Sequence, residues 1–362
     1  MANNMRVFWA VQGVVIGEMG EATVNTTSPF NDKTKLNPVH GLQSVGITTT
    51  FNLEQVFEMG QLSLYENLEE VPDVEVTLEK VIDGYPLIYH LATSNPGITV
   101  GTDTLIGRSN ERCDLRLGVY ADSATKAGGV TPQSEVYCSG MYVSSVSYTI
   151  PVDGNMTESV TLVGNHKQWY TGAPGPHALG TNSLGFGSDV PISGIARRQH
   201  LNMTASNLPP EIPGVGSDGQ MDSQEGDIQN NPLAHIQSIT VSTDLGREEI
   251  RELGHKGPYF RYVSWPVEVT AEFEVVTASG DYVDALPNAD NLTNRAIYIA
   301  VSGAYNTGVG NSFVLDLGDK NKLTSVSYSG ADTGGGNATT TFSYSTFNDL
   351  TIYSAHNPTN GP

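Results

Sequence analysis

The chain has 362 residues, with 39 acidic against 18 basic side chains and a net charge of −21. This balance excludes a protein that coats DNA, because such binding depends on Lys and Arg side chains that neutralise phosphates. No apolar run approaches the ~20 residues of a membrane-spanning helix, and residues 1–6 do not begin a secretory signal. We therefore expect no membrane association and folding in a cytoplasm.

The composition favours an all-β protein with short helices. Gly (39) and Pro (19) are frequent, which is typical of many turns between short strands. Long amphipathic helices made of good helix formers are missing. The two cysteines, Cys113 and Cys138, are too few for a disulfide framework, so we expect two buried free thiols.

The first predicted strand spans 42–50, where the side chains alternate between two faces. A short helix is predicted over 53–59, with Asn52 as its N-cap and Gly60 closing it in the left-handed conformation. The equivalent helix of the second half is predicted over 247–253. Each half is therefore expected to carry one flanking helix.

Two further strands, over 74–78 and 267–271, alternate apolar and polar residues with a period of two. Such strands bury one face and keep the other polar. The polar positions are Glu75, Thr77, Glu79, Glu268, Thr270 and Glu272. Additional strands are predicted over 113–121, 142–150, 158–163, 296–303, 323–329 and 339–345.

The two halves of the chain repeat one another. A shift of 194 residues aligns ten identical pairs without a gap. These pairs are Asn37/Asn231, Pro38/Pro232, Gln43/Gln237, Ser44/Ser238, Thr49/Thr243, Glu54/Glu248, Glu58/Glu252, Gly60/Gly254, Tyr65/Tyr259 and Pro72/Pro266. After one deletion, 74–79 aligns with 267–272, and 145–148 aligns with 325–328 at an offset near 180. This pattern indicates a duplication within the chain.

The organisation predicted from the repeat is two tandem β-sandwich or half-barrel domains. The first covers 1–170 and the second covers 235–362. Between them, 171–234 is rich in Gly and Pro and is expected to be mostly loop. A candidate strand at 195–203 in this segment corresponds to 6–16.

No motif in the sequence indicates catalysis, a cofactor or a metal ion. A nucleophile elbow, a phosphate-binding loop, a dinucleotide fingerprint and zinc-ligand spacings are all missing. The eight histidines show no pairing four residues apart on a helix. We expect no catalytic, cofactor-binding or metal-binding residues, and we predict that the chain is not an enzyme.

Paired carboxylates occur on both predicted helices, Glu54 with Glu58 and Glu248 with Glu252. Like charges at this spacing destabilise a helix slightly, so solvent or basic partners must compensate. The alternatives are a solvated helix face, a salt-bridged surface between subunits, or a catalytic acid pair. The candidates for an inter-subunit helix surface are Glu54, Glu58, Arg247, Glu248, Arg251 and Glu252.

Charge differs between the two copies of the repeat. The segment 37–79 has eight acidic residues and no Lys or Arg, whereas its second copy carries Arg247, Arg251, Lys256 and Arg261. We expect the copies to touch through complementary faces. The glutamates of the two alternating strands either lie on an ordinary exposed sheet face or form part of the negative lining of a channel.

Several of these segments resemble the tail-tube proteins and related virion structural proteins of tailed bacteriophages. The segments are 244–254, 258–262 and 266–270, together with a strand ending in Ser-Val-Ser-Tyr, a turn and a Thr-rich strand at 157–163 and 339–344. The resemblance implies β-sandwich subunits whose strands join into one large barrel around a lumen. It also implies rings that stack through loops and termini into a tube that conducts viral DNA.

From this resemblance we expect a homo-oligomeric ring in the virion tail. With two tube-like domains in one chain, a trimer would give pseudo-sixfold symmetry, and a hexamer is the alternative. Further expected partners are sheath, terminator or baseplate proteins, and viral DNA that passes without sequence-specific binding. The candidates for lining the lumen are Glu75, Thr77, Glu79, Glu268, Thr270 and Glu272.

Two other classes of function compete with a tube subunit. The first is a neck, baseplate or decoration protein that caps a ring without polymerising. The second is a carbohydrate-binding or glycan-cleaving β-sandwich, which would need exposed aromatic side chains such as Trp9, Trp169 or Trp265. Aromatic residues at equivalent repeat positions, Tyr65/Tyr259 and Tyr148/Tyr328, favour core packing instead.

Overall fold

The computed structural model describes residues 12–26, 35–93, 105–121, 126–171, 179–186, 194–202, 208–212, 235–276, 283, 285–287, 292–301, 313–330 and 336–354. Within these ranges the protein consists of antiparallel strands with two short α-helices. The predicted all-β class with short helices is confirmed.

Among the described residues of the first half there are ten strands and two short helices. In chain order they are β1 (Gln12–Glu18), β2 (Asn37–Pro38), β3 (Leu42–Thr50), β4 (Leu53–Phe57), β5 (Leu64–Glu69), β6 (Asp73–Val81), α1 (Ile88–Ala92), α2 (Leu105–Arg108), β7 (Cys113–Val119), β8 (Ser134–Pro151), β9 (Thr157–Gly164) and β10 (His166–Thr171).

The remaining elements follow a single turn of 3-10 helix at Arg198–His200. They are β11 (Leu201–Asn202), β12 (Ile236–Asp244), β13 (Arg247–Ile250), β14 (Phe260–Val263), β15 (Glu268–Val275), β16 (Tyr298–Val301), β17 (Phe313–Asp316), β18 (Lys322–Ser329), β19 (Thr339–Phe347) and β20 (Thr351–Ser354).

One sheet runs through both halves of the chain. Its strands lie in the order β3-β6-β9-β8-β12-β15-β19-β18, and every neighbouring pair is antiparallel. We call these eight strands the long sheet. Within the long sheet the two halves meet where β8 pairs with β12, from Ser238 opposite Pro151 to Asp244 opposite Ser145.

Smaller sheets complete each half. In the first half, β1 pairs with β7, β7 with the beginning of β8, and β8 with β10. In the second half, the order is β11-β16-β17-β20. The 18 residues of β8 belong to both sheets of the first half, because the strand pairs with β7 and β10 near its start and with β9 and β12 near its end.

The inward faces of these sheets share one apolar core. The period-two pattern predicted for β6 and β15 is confirmed: Val74, Val76 and Leu78 are buried, and so are Val269 and Phe273. Helix α1 packs against β1, β8 and β9 and covers this core. At about 1.5–3 kcal/mol for each fully buried large apolar side chain, this alternation is a strong determinant of which face turns inward.

The prediction of helices over 53–59 and 247–253 is wrong. The first segment lies in the β-hairpin β4–β5, which we call the first hairpin, and the second lies in β13–β14, the second hairpin. Gly60 and Gly254 lie in the turns of these hairpins with φ of +104° and +90°. Asn52 caps no helix but donates to the Val71 carbonyl and the Asp73 carboxylate. A helix of seven residues is marginal on its own, whereas the hairpin pairs its backbone groups across two strands.

The two halves have the same strand order in the long sheet, with β3-β6-β9-β8 matching β12-β15-β19-β18. The strand registers differ from the sequence alignment in one block. Val74 lies opposite Thr49, and Val269 lies opposite Thr243, so the counterpart of Val74 is Val269 and not Val267. A shift of two residues keeps the same face of a strand, so the alignment was wrong in position but right in orientation.

The segment predicted as loop, 171–234, lies mostly outside the described residues. The candidate strand at 195–203 is only partly formed, because a 3-10 turn precedes the two residues of β11. Leu201 of β11 pairs with Val301 of β16, in the place where β1 pairs with β7 in the first half. The division of the chain into two domains at 170 and 235 stays a prediction.

Candidate functional site

The outward side of the long sheet is covered by short polar side chains, and we call it the polar face. One row of directly opposed residues crosses all eight strands. From β3 to β18 the row reads Ser44, Glu79, Ser159, Ser147, Ser242, Thr270, Ser345 and Lys322. Neighbouring rows are similar, since they contain Thr161 beside Ser145 and Thr240 beside Glu272.

The six residues predicted to line a lumen all lie on the polar face. Glu75, Glu268 and Glu272 are exposed, and the other three are half-buried between neighbouring strands. The pairing of β8 with β12 brings the two sets, which come from different halves, onto one continuous surface. Their contact with a lumen stays a prediction.

Sequence reasoning missed one glutamate of this surface. The Ser44 hydroxyl lies 3.3 Å from the Glu79 carboxylate, and at the equivalent place the Ser238 hydroxyl lies 3.1 Å from the carboxylate of Glu274. Glu274 is thus the structural counterpart of Glu79. Its polar position in the alternation of β15 could have revealed it, but the predicted strand ended at residue 271.

The predicted inter-subunit helix residues lie instead on the two hairpins. Glu54 is on β4, and Arg247 and Glu248 are on β13, while the others follow these strands toward the turns. Among the six, Glu54, Glu58, Glu248, Arg251 and Glu252 are exposed, whereas Arg247 is half-buried. Arg247 therefore differs from the other five candidates in being partly removed from solvent.

Arg247 fixes the second hairpin to the first half of the chain. Its Nε donates to the Val143 carbonyl at 2.8 Å, and its terminal nitrogens donate to the carbonyls of Val143, Ser109 and Arg261. Burial lowers the pKa of this guanidinium to about 10, which still leaves it charged at neutral pH. The phenyl ring of Phe260 adds an edge contact to Tyr142 at 5.2 Å between centroids.

Two ion pairs join the second hairpin to acidic residues of the first half. Arg261 lies 2.6 Å from Asp73, and Arg251 lies 3.3 Å from Glu70. The predicted complementary contact between the charged copies is therefore confirmed within the chain. Arg261 also contacts Glu249 on the neighbouring strand, so its charge is shared between two carboxylates.

The first hairpin is much more exposed than the second. Every residue of β5 is exposed, and so are all residues of β4 except Val56. Its exposed apolar side chains are Leu53, Phe57, Met59, Leu62, Leu64, Tyr65 and Leu68. So many exposed apolar side chains on one short hairpin favour a contact with another molecule.

The long sheet ends in two strands that are paired on one side only. Among the described residues, β3 pairs with β6 alone and β18 pairs with β19 alone. Unpaired edge strands present rows of backbone donors and acceptors to other chains. Because the strand number is even and all neighbours are antiparallel, β3 and β18 run in opposite directions.

Equivalent tyrosines show the effect of these open edges. Tyr148 on β8 is 1 % exposed, whereas Tyr328 on β18 is 70 % exposed. The expectation that the repeated aromatics pack in the core is therefore wrong for Tyr328, and also for Tyr65 and Tyr259 on the hairpins. Trp169 and Trp265 are partly exposed, and Trp9 lies outside the described residues.

Neither a metal cluster nor a membrane-spanning helix occurs in the part of the chain that the structure describes. Cys113 and Cys138 are buried free thiols, as expected from the sequence. Burial raises the pKa of both thiols, that of Cys138 to about 12. Both therefore remain protonated and unreactive at neutral pH.

No protein-family model matches the chain, and no curated protein is similar to it in sequence. Several solved structures are similar to it over about half of its length. The tube-terminating cap of the anti-feeding prophage has 10 % identity and a TM-score of 0.31, covering 48 % of this chain and 95 % of its own. The sheath-tube complex of the extracellular contractile injection system PVC has 12 % identity and a TM-score of 0.30, covering 46 % and 93 %.

Another similar structure is the baseplate of the anti-feeding prophage. It has 10 % identity and a TM-score of 0.29, covering 47 % of this chain and 98 % of its own. At TM-scores of this size, none of the three likenesses carries an argument about function.

Proposed function

We propose that the chain is a structural, non-enzymatic subunit of a phage tail tube, located in the virion tail. Copies would close into a ring whose polar face lines the lumen, and viral DNA would pass through without sequence-specific binding. One observation carries this proposal. The long sheet presents a single Ser-, Thr- and Glu-rich face, and its two edge strands, β3 and β18, run in opposite directions.

Ring closure explains the two open edges. A sheet with an even number of antiparallel strands can pair β18 of one copy with β3 of the next, and that pairing is again antiparallel. A closed barrel leaves no edge exposed, which removes the risk of uncontrolled edge-to-edge association. Open filaments would leave two edges at their ends.

The barrel size favours three copies. Three long sheets of eight strands give 24 strands. At about 4.8 Å between strands and a tilt of about 40°, the backbone diameter is about 48 Å. This leaves room for a DNA duplex after the side chains are added, and the six half-sheets would give pseudo-sixfold symmetry.

The chemistry of the polar face suits a conduit. Ser and Thr hydroxyls keep the wall wet, and glutamates such as Glu75, Glu79, Glu268, Glu272 and Glu274 repel phosphates. Since DNA affinity comes from Lys and Arg, a wall with this charge would not hold the duplex in transit. Sheath, terminator or baseplate proteins would then contact the outer surfaces of the ring or its ends.

Electron microscopy and native mass spectrometry of the purified protein test the proposal. Hollow tubes built from stacked trimeric rings are the expected result. Hexameric rings of chains would contradict the trimer. Rings that never stack but bind the end of a tube would replace the tube subunit by a neck, cap or baseplate component, and monomers at high concentration would contradict ring formation.

A further inference from the structure

The contact between the two halves of one chain gives a template for the contact between two chains. We propose that β18 of one copy pairs with β3 of the next copy in the register in which β8 pairs with β12 inside the chain. In this register Tyr328 lies opposite Ile47, and Ser327 lies opposite Thr48. The inference rests on the ring proposed above and names the residues that join it.

The register follows from irregularities that are shared by equivalent strands. Pairing along β8 and β9 shifts between Val143 and Ser145, and pairing along β18 and β19 shifts between Leu323 and Ser325. β8 and β18 are therefore equivalent with an offset of 180 residues, as their shared Ser-Val-Ser-Tyr sequence also indicates.

We call the pairing of β8 with β12 the internal junction and the proposed pairing of β18 with β3 the junction between chains. The strands β3 and β12, on the other side of these junctions, are matched in the same way. The pairing register shifts between Leu42 and Ser44 on β3, and between Ile236 and Ser238 on β12. β3 and β12 are therefore equivalent with an offset of 194 residues. Inside the chain, Val241 lies opposite Tyr148 and Ser242 lies opposite Ser147. When 180 is added to the β8 residues and 194 is subtracted from the β12 residues, these pairs become Tyr328 opposite Ile47 and Ser327 opposite Thr48.

Burial differs between equivalent residues where a second chain would sit. Val241 is 1 % exposed because β8 flanks it, whereas its counterpart Ile47 is only partly buried. Tyr148 is buried beside Phe313, at 5.4 Å between ring centroids, and Tyr328 is 70 % exposed. A partner strand placed on β18 and β3 would bury Tyr328 and Ile47 as the internal junction buries their counterparts.

The first hairpin adds a second contact to the proposed junction between chains. Inside the chain, the second hairpin contacts β8 beside the internal junction, where Phe260 packs against Tyr142. The counterparts of this pair are Glu66 on the first hairpin and Lys322 on β18. In the proposed assembly these two exposed side chains of opposite charge meet across the junction.

The absence of Arg247 from the first hairpin changes the kind of contact. Its counterpart is Leu53, which is 55 % exposed. Inside one chain the second hairpin is held by the hydrogen bonds of the half-buried Arg247 guanidinium. Between chains the first hairpin would be held by apolar contacts and the Glu66–Lys322 pair. The occupant that fits this surface is a second copy of the same chain, because its β18 edge is equivalent to β8, the strand that pairs with β12 inside the chain.

Disulfide trapping of the full chain tests the register. In the double variant Thr48→Cys/Ser327→Cys, more than half of the chains are expected to be linked into covalent trimers, which a non-reducing gel detects. Ser147→Cys/Ser242→Cys is the matched control, because it places the same geometry inside one chain and forms no oligomer. The native thiols are buried and protonated, so they do not compete.

A shifted pair excludes non-specific trapping. Thr48→Cys/Ser325→Cys moves one thiol by two residues along the same face and should link at least five-fold fewer chains. Equal linkage of both pairs would overturn the register, and so would the absence of linkage in a sample that electron microscopy shows to contain rings. Trapped trimers in a sample that never forms tubes would uphold the junction and contradict the tube.

A charge exchange tests the hairpin contact separately. Glu66→Lys and Lys322→Glu are each expected to weaken ring formation about two- to five-fold, and the double variant should restore it. Restoration is the decisive result, since a merely structural role of either side chain would not be rescued by the other. Additive loss in the double variant would overturn the contact.

Discussion

The Arg261 guanidinium lies 2.6 Å from the Asp73 carboxylate, although 188 residues separate them in sequence. The pair holds the second hairpin against the first half of the chain. Burial by itself raises the pKa of Asp73, but the hydrogen bonds from Asn52 and Arg261 and the nearby guanidinium charges outweigh it, so the pKa is lowered. Asp73 is therefore ionised at neutral pH and available for the pair.

Loss of Arg261 should destabilise the fold. Arg261→Met removes a largely buried charge and leaves Asp73 and Glu249 without their shared partner, so we expect a decrease of about 2–4 kcal/mol in the free energy of unfolding. Urea denaturation measures it. Arg251→Met is the matched control, because this side chain stays half exposed in its pairs with Glu70 and Glu249 and its loss should not be resolved. Equal effects of both variants would contradict the assignment.

Truncation of the two equivalent tyrosines should affect different properties, stability for Tyr148 and ring formation for Tyr328. Tyr148→Ala empties a buried site and should cost about 3–5 kcal/mol of unfolding free energy. Tyr328→Ala should change stability by less than about 0.5 kcal/mol, because the side chain is exposed. Only Tyr328→Ala should reduce ring formation in a folded sample, as measured by native mass spectrometry. Unchanged ring formation would contradict the proposed junction.

Reversed charge on the polar face should make the conduit bind DNA. Glu75→Lys/Glu268→Lys is expected to leave ring assembly intact and to slow or block DNA ejection from complemented particles. In reconstituted tubes the variant should retain duplex DNA, and the retention should weaken as salt is raised. Glu18→Lys/Asp153→Lys makes the same change in net charge at two exposed residues that are not part of the eight strands, Glu18 on β1 and Asp153 in the turn after β8. Normal infectivity of the first variant would count against a lumenal position.

Acid should destabilise the fold partly through His40. Its side chain is buried against Tyr85, and burial, followed by the charge of Lys80, lowers its pKa from 6.5 to about 4. The lowered pKa means that the stability due to neutral His40 is complete above pH 6.5 and is lost as the pH falls toward 4. The loss approaches about 3 kcal/mol.

Thermal unfolding between pH 7 and pH 4 measures this effect. The decrease in Tm should be shallower for His40→Gln, which cannot take up a proton in this range. An identical pH profile in the wild type and the variant would show that other groups carry the acid sensitivity.

The strands with one buried face could be predicted from sequence, and the hairpins could not. In β6 and β15 the alternation is strict, and the free energy of burying Val74 or Phe273 selects one face. The segment from Leu53 to Met59 has no such constraint, because its side chains remain largely exposed in the structure. Its local pattern suits a helix or a strand, and the pairing of β4 with β5 decides.

The sequence by itself determined the all-β class, the repeat and the polar positions that form one face of the long sheet. Period-two alternation carries this information locally, and even a two-residue error in the alignment left the orientation unchanged. Only the tertiary structure decided which equivalent residues are buried. Tyr148 and Tyr328 lie in the same Ser-Val-Ser-Tyr sequence, yet one is covered by β12 and the other is at an open edge. Burial depends on the neighbouring strand, and local sequence does not specify that neighbour.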